Sequence, residues 1–149
     1  MRIRLQEQPE YEFIHEATVR PRDVNFGGHL GNDSLIALLN EAELRMFTSL
    51  GFNEGKLGDD KTSYIVASIA VNYKTEAFMF DELIIDTHVS EPEAKGFGLS
   101  HRVRRGGDIV ALAEVYIVVY DYMIGKPTPV PDAFIKALFE HKQSLGSCC

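Results

Sequence analysis

The chain has 149 residues, of which 45% are hydrophobic and 25% charged, with a formal net charge of -7 and a pI near 5.2. These proportions are those of one compact domain that buries a core without disulfide or metal staples, and they speak against disorder and against a membrane protein. The acidic balance speaks against nucleic acid as a partner, because displacing counterions from phosphates needs a basic surface.

The opening residues, Met1 to Glu10, lack the apolar stretch of a signal peptide, and no apolar run reaches membrane-spanning length. Residues 11 to 19 are rich in aromatic and β-branched types and predict a first strand. A loop follows, reading Arg-Asp-Val-Asn-Phe-Gly-Gly-His-Leu-Gly-Asn-Asp over residues 22 to 33. Gly27, Gly28 and Gly31 let its backbone turn tightly and approach a ligand closely. Polar side chains concentrate around them, and the loop runs into a helix start, whose unpaired N–H groups favour negative charge.

From Asp33 the apolar spacing becomes helical. Asp33 or Ser34 can act as N-cap, and Leu35, Leu38, Leu39, Ala42, Met46 and Leu50 recur until Gly51. Residues 35 to 39 are apolar all round, which predicts a buried helix wrapped by other elements. Residues 51 to 62, with three glycines and several charges, predict a loop. Strands are then expected over 64–75, 83–90, 99–105 and 109–121, with a tight hairpin at Arg105-Gly106-Gly107-Asp108. Three prolines between Lys126 and Pro131 keep that segment out of a sheet interior, and residues 132 to 141 predict a short closing helix. Cys148 and Cys149 end the chain as an expected frayed tail; with no other cysteine there is neither a disulfide framework nor zinc-ligand spacing, and the cytoplasm is the expected compartment.

No internal repeat or linker divides the chain, so one domain over 1–149 is expected, with a core over about 10–140. Strand, helix, then four strands on short connections requires an antiparallel sheet, and a sheet curled around one central helix satisfies the order. This is an α+β arrangement of about five strands, one long helix and a short C-terminal helix.

Three stretches carry a family resemblance. Val19-Arg20 through Leu30 with Gly31-Asn32 resembles the hotdog-fold acyl-CoA thioesterases, in the 4-hydroxybenzoyl-CoA thioesterase-like branch: Val-Arg, two acids one residue apart, then Gly-His and an Asn before the helix. Residues 39 to 45 are similar to the family's helix, and the proline-bounded segment 125–131 to its exit from the last strand. The resemblance implies a hotdog fold, hydrolysis of an acyl-CoA or acyl carrier protein thioester, and catalytic sites at a homodimer interface, with dimers able to pair into tetramers. It implies no cofactor beyond the coenzyme A of the substrate, and no metal. Asn25 stands where the family's second acid does, and an amide neither accepts a proton from water at neutral pH nor attacks a thioester as a carboxylate does.

Thioester hydrolysis needs an activated water or carboxylate and N–H donors for the developing oxyanion. The first-turn amides of Gly31, Asn32 and Asp33 are the candidate donors, or are capped by Asp33 or Ser34. Glu41 is the leading candidate base. It lies about 12 Å of helical rise beyond Asp33, and the resemblance implies action across a subunit interface; the alternative is an ion pair with Arg45. Asn25 would hold the water or the carbonyl, or simply turn the loop. His29 is a second candidate base or a turn-holding residue, and Asp23 a second acid or a partner of Arg20 or Arg22. Arg102 and Arg104, on one face of a strand, are the best candidates for the coenzyme phosphates, with Lys74, Lys95 and Arg105 as further cations. Phe26, Phe47 and Tyr64 could line an acyl slot. Two other functions fit the same residues: an acyl-CoA binding or sensing domain without catalysis, motivated by Asn25, and an enoyl-CoA hydratase, motivated by Asp23 and His29.

Overall fold

A computed structural model describes residues 1–53 and 55–146, so the cysteine pair lies outside the described residues. Its elements are β1 (Phe13–Thr18), a 3₁₀ turn (Pro21–Asp23), α1 (Asn32–Ser49), β2 (Thr62–Tyr73), β3 (Glu82–Val89), β4 (Gly96–Arg105), β5 (Asp108–Asp121), β6 (Lys126–Pro127) and α2 (Asp132–Gly146). All pairings are antiparallel, in the order β1-β3-β4-β5-β2, with the two-residue β6 on the far part of β5 at Tyr120 and Asp121. β1 and β2 are therefore the two edges, and α1, which connects them, crosses the face of the sheet. The expected α+β sheet around one long helix is the observed one.

The hairpin at Arg105–Asp108 turns on Gly106 at φ +58, a conformation that costs glycine little. Along β4, Phe97, Leu99, His101 and Val103 point toward α1, while Gly98, Ser100, Arg102 and Arg104 alternate onto the opposite, convex face. The core divides along the helix. Leu35, Leu39 and Ala42 pack on Val19, Leu83, Ile85, Val103 and Ala111; Met46 and Phe47 pack on Phe97, Leu99, Val115, Ile117 and Phe134. Phe134 and Leu138 hold α2 over the second cluster.

Two expectations about α1 change. Its N-cap is Gly31, two residues ahead of Asp33 and three ahead of Ser34, because Leu35 N already donates to Gly31 O at 2.9 Å. Nor is its first half wrapped on all sides: Leu35 and Leu39 are buried, but Ala37 is exposed and Ile36 and Leu38 are half-buried. One sheet covers one face of a helix, and among the described residues the opposite face keeps Ala37, Asn40 and Leu44 exposed. The edge strand β2 is also open, with Ile65, Val66 and Ile69 exposed by 38%, 45% and 38%. Segment Ile3 to Tyr11 straps the convex face: Asn72 accepts from Leu5 N (2.6 Å) and donates to Ile3 O (2.9 Å), and Arg102 reaches Glu7 (2.9 Å).

Candidate functional site

The glycine loop is built almost wholly by its own backbone. The Asp23 carboxylate accepts from Arg20 N at 2.8 Å and closes the 3₁₀ turn, while its carbonyl accepts from Gly31 N at 2.9 Å. Between them the chain makes a narrow ribbon: Val24 bridges Leu30, Asn25 N donates to His29 O (2.8 Å), and Gly28, at φ +80, donates to Asn25 O (3.0 Å). Asn25 Oδ1 accepts from Gly27 N at 3.1 Å and His29 N at 3.3 Å, so this side chain braces the loop from inside.

The ribbon is anchored on a distant turn. His29 bridges Phe78, Leu30 N donates to Ala77 O (2.8 Å), and the His29 and Phe78 rings lie 5.0 Å apart. Asp81 holds that turn by accepting from Phe78 N and from Arg105, both at 2.8 Å; the Arg105 hydrogen bond, then that of the Phe78 amide, keep its carboxyl below the usual carboxylate range. This brings Glu76 to His29. Glu76 Oε2 is 3.2 Å from Nδ1, out of line for a hydrogen bond, and Nδ1 is buried.

The helix start completes the site. Gly31 has no side chain with which to cap, so the first-turn amides of α1 are left without a side-chain acceptor from it. Asn32 and Asp33 are exposed. A cavity of about 400 Å³ opens there, lined by Asn25, His29, Asn32, Leu35, Lys74 and Glu76 among others. Lys74 pairs with no carboxylate among the described residues. Backbone donors, a histidine and a free cation thus face one cavity.

Glu41 is elsewhere. Its carboxylate bonds His15 Nε2 at 2.7 Å and lies 3.9 Å from Arg45 Nε, on the flank of α1 that faces β1. A separate cleft of about 600 Å³ lies there, lined by His15, Arg45 and Met46 and others, and it shares no residue with the glycine-loop cavity. Arg102 and Arg104 are also apart, on the convex face, where both donate through Nε to the buried Asp86 at 2.9 and 2.8 Å. Burial opposes the charge on Arg102, but its bonds to Glu7 and Asp86 outweigh that and raise its pKa; Arg104 is raised first by Asp86. Phe47 is core and Phe26 projects into solvent, so neither lines the cavity; Tyr64 packs on Phe47 at 4.6 Å, and burial followed by the charge of Glu43 pushes its hydroxyl up to about 12.

Several groups escaped the sequence reading. Glu76 is separated from His29 by the whole of α1 and β2, and no local pattern joins them. Glu43 left a trace: it interrupts the stripe Leu35, Leu39, Phe47 at the buried phase. It is 2% exposed, 3.4 Å from His101 Nε2, and His101 Nδ1 shares a 2.9 Å hydrogen bond with Thr87. This polar row runs through the core between its two apolar clusters. No group of three or more His, Cys, Asp or Glu is placed to hold a metal among the described residues, and no helix there is long and apolar enough to cross a membrane.

Known proteins share this fold and sequence pattern. The sequence pattern of the thioesterase-like superfamily matches residues 19–138. An acyl-CoA thioesterase of Haemophilus influenzae, YbgC, is 24% identical over 130 residues, covering 87% of this chain and 95% of that protein. The fold is that of a 1,4-dihydroxy-2-naphthoyl-CoA thioesterase from Synechocystis, with a TM-score of 0.76 at 16% identity over 86% of this chain and 96% of the other. A Staphylococcus aureus protein solved in complex with CoA superposes with a TM-score of 0.80 at 14% identity, over 88% and 84% of the two chains.

Proposed function

The chain belongs to the thioesterase-like superfamily, and from that premise we propose that it hydrolyses acyl-CoA thioesters at the cavity beside the glycine loop. The observation that carries this is the uncapped first turn of α1 opening into a cavity that also holds His29 and Lys74. A thioester carbonyl placed there accepts from the first-turn amides, along the helix dipole, and becomes electrophilic. His29 takes a proton from water, the hydroxide oxygen bonds the carbonyl carbon, and the negative charge passes to the oxygen held by those amides. When the intermediate collapses, the C–S bond breaks and the proton returns to the departing thiolate, leaving free acid and CoA. Glu76 supports the imidazolium that forms midway. Asn25 keeps His29 and the loop in place, and Lys74 attracts the phosphates or thiolate of the coenzyme.

The active form in this reading is a homodimer. β2 is an open edge of 12 residues with apolar side chains exposed, a surface that natural proteins otherwise blunt or cover. A second copy pairing there would also bring cover toward the open face of α1; pairs of dimers follow from the same resemblance. The cytoplasm is its compartment on cysteine usage.

Thiol release from a panel of acyl-CoAs, and from the same acyl groups on acyl carrier protein, tests the proposal. Loss of hydrolysis in His29→Ala with retention in Glu41→Gln supports it. Loss in Glu41→Gln instead assigns the base to Glu41 of a second copy. The bracing role of Asn25 equally suits a binding domain, so acyl-CoA binding with no hydrolysis of any chain length would overturn catalysis; water addition to an enoyl-CoA would make the protein a hydratase.

A further inference from the structure

The cleft on the β1 flank of α1 takes no part in that hydrolysis, yet it is the better built of the two by side chains. Phe13 lies opposite Thr87, and His15 opposite Ile85, across the β1–β3 pairing, so Phe13, His15 and Thr87 share one floor. Ala42, Arg45 and Met46 form the wall, and the cleft encloses about 600 Å³, enough for a small organic molecule.

Its polar groups are fixed in a specific state. A carboxylate only accepts, so the 2.7 Å bond from Glu41 to His15 Nε2 places the imidazole proton on Nε2. In the neutral imidazole Nδ1 then presents a lone pair, and no protein group holds it among the described residues. Arg45 touches Glu41 only through Nε, at 3.9 Å, and its side chain is 64% exposed, which leaves its terminal N–H groups available. One acceptor and one permanent cation therefore border a mixed cleft whose apolar surface comes from Phe13, Ala42 and Met46. A carboxyl group complements both, its O–H toward Nδ1 and its other oxygen toward the guanidinium.

We propose that this cleft binds a monocarboxylic acid with an apolar body, its carboxyl O–H meeting His15 Nδ1 and its other oxygen meeting Arg45. A free carboxylic acid is ionised at pH 8, so forming the O–H···Nδ1 contact takes up one proton, which the complex holds between ligand and imidazole with Glu41 on the far ring nitrogen. The other ionisable groups around the cleft are Glu12, Glu16 and His141. On β1, Glu12 is held by His88 (2.8 Å) and Lys142 (3.6 Å), and Glu16 is exposed, the one carboxylate of the lining without a partner among the described residues; on α2, His141 bonds Glu12 O (3.0 Å) and stacks on Phe13 (4.4 Å); β3 contributes Thr87, which is not ionisable here. The proposal rests on the thioesterase reading only for the source of the ligand, since hydrolysis releases an acid of this class.

Calorimetric titration with octanoate and octanol at pH 8, in two buffers of different ionisation heat, tests it without any turnover. Saturable octanoate binding is expected, with close to one proton taken up and no binding of octanol. Arg45→Gln and His15→Gln should each weaken octanoate by about tenfold or more, whereas His29→Ala should leave it unchanged even where thiol release is lost. The Arg45 variant stands at an exposed position and remains informative if His15→Gln unfolds. No saturable binding, no proton uptake, unchanged affinity in Arg45→Gln, or histidine NMR shifts at His29 and none at His15 would each overturn the proposal. Octanoate binding in a protein that hydrolyses no thioester would overturn only the function from which the ligand was inferred.

Discussion

The two flanks of α1 hold histidine–glutamate pairs of opposite construction. On the β2 side, His29 and Glu76 are 3.2 Å apart and out of line, carried by loops whose shape comes from main-chain hydrogen bonds; on the β1 side, His15 and Glu41 are joined at 2.7 Å, carried by a strand and a helix. The loop pair leaves the hydrogen bond between its members unmade, which suits the proposed base, whose proton must be exchanged. The bonded pair suits recognition, because Glu41 orients the His15 ring before a ligand arrives.

The sharpest way to break this contrast is His29→Ala, which should lower kcat/KM for acyl-CoA by about a hundredfold or more, in the range of a lost general base, with little change in thermal midpoint. Val66→Glu places charge on the open β2 edge. It should shift the protein from dimer to monomer in sedimentation, weakening self-association by about tenfold or more, since burial of an unpaired charge opposes pairing. Asn25→Ala removes the acceptor for two loop amides, at a cost of about 1 kcal/mol for each amide that water does not satisfy, and about a tenfold loss of rate is expected with KM largely retained. Glu41→Gln should leave kcat/KM within about threefold, because it acts on the other flank. Arg102→Gln should be smallest: KM for the coenzyme should stay within about twofold, since its guanidinium serves Asp86 and Glu7 on the convex face.

The sequence made the architecture readable because hydrophobic period and turn chemistry agreed. The Gly106-Gly107 turn was visible in two residues, and each expected strand lies within about three residues of an observed one at either end. At the start of α1 the difference is local: Asp33 and Ser34 have the right chemistry for a cap, but the chain already turns helical at Asn32, so the Gly31 carbonyl accepts the first intrahelical bond. The site was half legible. Asp23, Asn25, His29 and Gly31 are sequence neighbours and do form one constellation, whereas Glu76 and Lys74 join it only through the bridge from His29 to Phe78. The placing of Glu41 against His15 depends on which side of the helix faces β1, and that follows from sheet order, which no single segment encodes. Arg102 and Arg104 do share one face as alternation requires; their partner Asp86 is opposite Arg102 on β3, again a matter of register.

Among the described residues, Leu5 and Leu112 are the two buried hydrophobics that belong to neither core cluster. Leu112 sits in register between Asn72 and Arg102, the two residues that bind the N-terminal strap. The strap therefore finds its seat only after β2, β4 and β5 have aligned, 67 and 95 residues downstream of Leu5 and Glu7. Its docking is expected to be the last event of refolding, and the Leu5 amide, held by Asn72 at 2.6 Å, should gain protection from hydrogen exchange later than the amides of the β4–β5 hairpin. A single backbone proton near the front of the chain would thus act as a clock for completion of the whole sheet.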